Sequence, residues 1–132
     1  MSELLELLAG PLAFLLVPGR YRLVDSRSGS GGDASITLES ASTRLQLVRD
    51  RTEVSLRFQP TVPSSEDWFW LGVARRLLDG DRPGRDELDG SAIEFLQNRL
   101  AELEEGLAVL GRAGLVDALQ RARDERATEL FG

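Results

Sequence analysis

The sequence predicts an α+β domain: a four-stranded antiparallel β-meander with an N-terminal helix and three C-terminal helices packed on one face. Three observations lead there. Residues 34–58 alternate apolar and polar side chains with the period of two that a half-buried strand needs. The connections between those runs are too short for crossover helices, which leaves antiparallel neighbours. From Trp68 onward the apolar residues recur three and four apart, the spacing of amphipathic helices. At 132 residues the chain has enough side chains for one core, so residues 1–132 form a single α+β domain.

Ser2 can cap a helix running to about Val17, with Leu4, Leu5, Leu8, Leu12 and Leu15 or Leu16 as its buried stripe and Pro11 kinking it. Pro18-Gly19 ends it. Residues 21–27 read as a first strand and the Gly-rich residues 28–33 as a loop. Strand two, residues 34–39, turns Ala34, Ile36 and Leu38 inward. Strand three, 44–49, contributes Leu45 and Leu47, and strand four, 52–58, contributes Val54, Leu56 and Phe58. Asp50-Arg51 is the tight hairpin between them.

Pro60 and Pro63 carry the chain off the sheet. A helix is predicted over residues 64–80, from a capping-box-like Ser64 and Asp67 to Gly80, with Trp70, Val73, Ala74, Leu77 and Leu78 on the face that closes the core. A polar connector follows. Ser91 with Glu94 is a second capping box, opening a helix to about Leu110 whose Ile93, Leu96, Leu100, Leu103, Leu107 and Leu110 form an a/d seam. The last helix, 115–130, offers Leu115, Leu119, Ala122 and Leu130 to the core, with Asp117, Arg121 and Glu125 as i,i+4 pairs on its wet side.

Composition narrows the chemistry. Every one of the sixteen basic residues is Arg, and there is no His, Lys or Cys. The usual general base, Schiff-base amine and thiolate are therefore missing, and catalysis would have to use carboxylates, hydroxyls and Arg. No disulfide can form, which points to a reducing, cytoplasmic setting. The first eighteen residues carry Glu3 and Glu6 and no cation, so they do not read as a secretory leader, and the apolar run there is too short to span a bilayer. No membrane association is expected. The net charge of −6 disfavours phosphate backbones as partners, although residues 20–58 hold seven Arg against five acids while residues 59–132 hold nine Arg against fifteen.

Three stretches invite a chemical reading. Asp79, Asp81, Asp86, Glu87 and Asp89 crowd the loop 79–89, where a carboxylate pair could do acid-base work, although a charge run is more often a solvated connector. As a calcium loop it fails, because Pro83 and Gly90 stand where ligands are required. The glycines at 29, 31 and 32 lack the Lys and the following helix of a phosphate-binding loop. No cofactor or metal is expected. The outward set of the sheet comprises Arg22, Val24, Ser35, Thr37, Arg44, Gln46, Val48, Ser55 and Arg57. Arg22, Arg44, Gln46 and Arg57 are its candidate partner-binding residues, since Arg is favoured at interface centres. A nucleic acid would call for aromatic platforms on that side, and the strands supply none there, because Tyr21 and Phe58 sit in the inward set.

A leading helix, a meander around Tyr-Arg-Leu-Val (21–24) and Leu-Val-Arg-Asp-Arg (47–51), the Trp-Phe-Trp segment and the Leu-rich closing helices resemble small bacterial immunity-type proteins, which neutralise a toxin by binding it. The resemblance implies a non-catalytic, acidic, cytoplasmic protein-binding module with a protein partner, such as a toxin domain. Two alternatives stand beside it. One is a self-associating scaffold, a homodimer through the Ile93 to Leu110 seam. The other is a carboxylate-dependent enzyme at the loop 79–89.

Overall fold

Leucines three and four apart make the first helix amphipathic, and Pro11 decides its length. In the computed structural model α1 spans Ser2–Ala9 and buries Leu4 and Leu8. Proline has no N–H to donate and its ring clashes with the turn before it, so the helix stops ahead of Pro11. A single 3₁₀ turn, Ala13–Leu16, follows; Leu12, just before it, and Leu15 within it are buried. The helix expected to reach Val17 is thus two pieces. Leu5 and Leu16 point to solvent, and Met1 rather than Ser2 stands at the N-cap. The structure describes residues 1–61, 68–80, 85–108 and 112–131.

The sheet has five antiparallel strands where four were expected. They are β1 (Arg22–Ser28), β2 (Ala34–Glu39), β3 (Thr43–Asp50), β4 (Glu53–Pro60) and β5 (Phe69–Trp70), arranged in sequence order. Tyr21, Ala34, Ile36, Leu38, Leu45, Leu47, Val54, Leu56 and Phe58 are all buried, as the period-two reading requires. A bulge between Leu23 and Asp25 interrupts the β1–β2 register. The β3–β4 turn falls on Arg51-Thr52, one residue later than expected, because Asp50 and Glu53 still pair. Arg51 takes a positive φ of 61° there.

The fifth strand comes out of the predicted helix. Phe69 pairs with Phe58 and Trp70 with Arg57, so α2 begins only at Leu71 and runs Leu71–Asp79. Three consecutive aromatics favour a pleated surface, where alternate rings go to opposite sides and each meets a cross-strand neighbour. Phe69 goes in, its ring 5.9 Å from that of Phe58. Trp68 and Trp70 therefore belong to the other side, and the lid that was to contain Trp70 is built without it. Ser64 and Asp67, the expected cap, lie outside the described residues.

Val73 and Ala74 of α2 are buried and Leu77 and Leu78 partly so, and Gly80 stops the helix at a left-handed φ of 70°. Helix α3 spans Gly90–Ala108. Its cap is Asp89, whose Oδ1 accepts from the Ala92 N–H at 2.9 Å and the Ser91 hydroxyl at 2.7 Å, so the expected Ser91–Glu94 box is not what starts it. Helix α4 spans Arg112–Phe131 and buries Leu119 and Ala122, while Leu130 is exposed. The α3 row Leu96, Leu100, Leu103 and Leu107 is buried in the same core as the sheet and α1, with Ile93 packed against it. The described part of the seam is therefore buried in the chain's own core. Leu110 and the side chain of Leu115 lie outside the described residues.

Candidate functional site

With the apolar side of the sheet under the helices, strand alternation sends the remaining side chains to an opposite, open side. Register orders them in rows. Arg22, Glu39, Arg44 and Gln59 make one row; Asp25, Thr37, Gln46, Arg57 and Trp70 make the next; Arg27, Ser35, Val48 and Ser55 the third. Two adjoining open depressions of about 730 and 590 Å³ lie along these rows. Arg27, Ser35, Val48 and Arg57 line both, with Trp70 on one and Trp68 on the other.

Hydrogen bonds run along the rows, from strand to strand. Arg44 donates from Nε and Nη2 to Glu39 Oε2 at 3.2 and 3.1 Å and from Nη1 to Gln59 Oε1 at 2.6 Å. Gln46 donates from Nε2 to Thr37 Oγ1 at 3.1 Å and accepts on Oε1 from Arg57 Nε at 2.6 Å. A guanidinium can only donate, so the Gln46 carbonyl must face it and the amide must face Thr37. Arg57 also lies over both indoles, 4.7 Å from the Trp68 ring centroid and 5.5 Å from that of Trp70. Burial pulls its pKa below the usual guanidinium value.

Of the four residues singled out from sequence, Gln46 and Arg57 are brought into contact. Arg44 lies one row away, tied to its own strand neighbours, and Arg22 sits exposed at the β1 end of that row. The two tryptophans were missed. A period-two reading of Trp68-Phe69-Trp70 carries the signal, because the residue between them matches Phe58 as a core position. The absence of aromatics from that side was a mistaken expectation for the same reason.

Asp79, Asp86 and Asp89 of the acidic loop are committed to structural contacts, while Glu87 is exposed. Asp86 takes both terminal nitrogens of Arg126 at 3.0 and 2.8 Å and the Gly72 N–H at 2.9 Å. Asp89 caps α3, and the Ser91 hydroxyl and then the Ala92 N–H hold its pKa below the ordinary carboxylate value. Asp79 pairs with Arg99, which also donates to the Leu78 carbonyl at the end of α2. Asp81 lies outside the described residues. Among the described residues no group of three or more acids, His or Cys is placed to hold a metal, and no helix is long and apolar enough to cross a membrane. No protein-family model, curated protein or solved structure matches the chain.

Proposed function

We propose that the protein works without catalysis, as an immunity- or inhibitor-type module that neutralises a partner protein by holding it against the open side of the sheet. The observation that carries this reading is the cluster of Arg57 with Trp68 and Trp70 on a sheet surface that the described helices leave uncovered. Trp and Arg are the residues that most often dominate interface energy, and they do so from the centre of a patch. The hydrogen-bonded rows around them are already ordered, so little side-chain entropy remains to be lost on docking. Asp25, Asp33, Glu39, Asp50 and Glu53 line the same depressions, which favours a protein over a nucleic acid. The net charge of −6 would steer a basic partner toward the chain. Such a module acts in the cytoplasm, where a chain without cysteine loses nothing to the reducing conditions.

Affinity capture from the native cell extract tests this, using the wild type and a V48R variant that crowds the open side. One protein recovered at a one-to-one ratio by the wild type and lost with V48R, at an unchanged melting temperature, is the expected result. Recovery of no stoichiometric protein by the wild type, or equal recovery by V48R, contradicts it.

A further inference from the structure

The arginines lining the two depressions differ in one respect. Arg27 has Asp25 as its carboxylate partner at 3.0 Å, Arg44 has Glu39 at 3.1 Å and Arg49 has Glu3 at 2.6 Å. Arg57 has none among the described residues. Its Nε is bonded to the neutral Gln46, and its two terminal nitrogens are bonded to nothing described. Like Arg27 it lines both depressions, but it alone of the described arginines lining them lies over two indoles, half-buried, with its planar fork held in place.

We infer that Arg57 is the anchor for a carboxylate on the bound protein, an Asp or Glu side chain set among neutral residues, received by the two terminal nitrogens between Trp68 and Trp70. The inference rests on the binding-face reading and specifies its chemistry. A guanidinium fork matches a carboxylate in a bidentate way, and stacking on the rings pre-organises the fork so that less freedom is lost when the bonds form. Partial burial strengthens the attraction by lowering the local dielectric. Ser35, Val48 and Ser55 beside it are small and neutral, leaving room for a side chain to approach. A phosphodiester strand would bring a further negative charge at every step, against Asp25, Asp50 and Glu53 on the rim, whereas a lone carboxylate meets Arg57 first.

Titration of the full chain with the peptides acetyl-Ala-Glu-Ala-amide and acetyl-Ala-Gln-Ala-amide, at fixed ionic strength, tests this through tryptophan fluorescence. The expected result is saturable binding of the Glu peptide, with the Gln peptide weaker by about 10-fold or more, the ratio a charge-assisted hydrogen bond supplies. R57Q should lose that preference and R57K should recover part of it, each with an unchanged thermal melt. Equal binding of the two peptides, no saturable response, or a response to inorganic phosphate and oligonucleotides but not to the Glu peptide would overturn the anchor. The binding face itself has a separate outcome: capture of the partner lost with V48R but retained by R57Q removes the carboxylate anchor and leaves the face standing.

Discussion

Tyr21 is buried just before β1 and donates its hydroxyl to Glu104 Oε2 of α3 at 2.6 Å. Burial first, and then this bond to a carboxylate, push its pKa far above the ordinary phenol value. The folded state therefore keeps a proton that the unfolded chain gives up above about pH 10. With more protons bound in the native state, stability is complete below pH 10 and falls above it, by up to about 1.4 kcal/mol per pH unit. Urea unfolding at pH 9 and pH 11 should show that fall, and Y21F should flatten it while lowering stability at neutral pH by about 1 kcal/mol. Arg51 supplies a second test. Its φ of 61° costs an L-residue about 1–2 kcal/mol that glycine does not pay, part of which glycine returns as lost chain entropy. R51G is expected to raise stability by about 0.5–1 kcal/mol in the same assay, and R51V to lower it. Neither effect was readable beforehand: alternation marked Tyr21 as buried but not Glu104 as its partner, and placing the turn one residue early concealed the strain at Arg51.

Elements joined by local pattern were legible, and elements joined by distant polar contacts were not. The strands β2 to β4, the stop at Gly80 and the α3 leucine row followed from period and turn chemistry, because one side chain's burial is repeated along the element. The segment 68–70 defeated that logic, since Trp70 satisfies the helical spacing to Val73 and the cross-strand pairing to Arg57 equally well. Tertiary pairing with Phe58 decides it. Asp86 shows the same gap at the start of α2. Its main chain accepts from Leu56 N–H in β4, and its carboxylate holds the first turn of α2 and Arg126 of α4. Nothing in a run of acids announces that role. Replacing it in D86A strips the Gly72 N–H and a mostly buried Arg126 of their acceptor and should cost about 2–3 kcal/mol, measurable as a lower urea midpoint. Burial also surrounds Arg76 of α2, which is held protonated chiefly by Glu129, with Glu125 assisting, across from α4.

Among the described residues the whole molecule is a sheet with one side sealed under helices and one side left open. All four helices contribute to a single core on the sealed side, which uses up the apolar stripe of α3 and leaves the rows built on Thr37, Gln46 and Arg57 facing outward. That division was legible from alternation alone. The composition of the open side was not, because its most consequential residues, Trp68 and Trp70, arrive from a short fifth strand rather than from the meander. Acrylamide quenching of tryptophan emission, in the free protein and in its complex with the captured partner, addresses this division most directly. Both indoles should be quenched in the free protein and both should become protected when the partner is bound. Blue-shifted emission that acrylamide does not reach in the free protein, or quenching that is the same with and without the partner, would contradict it.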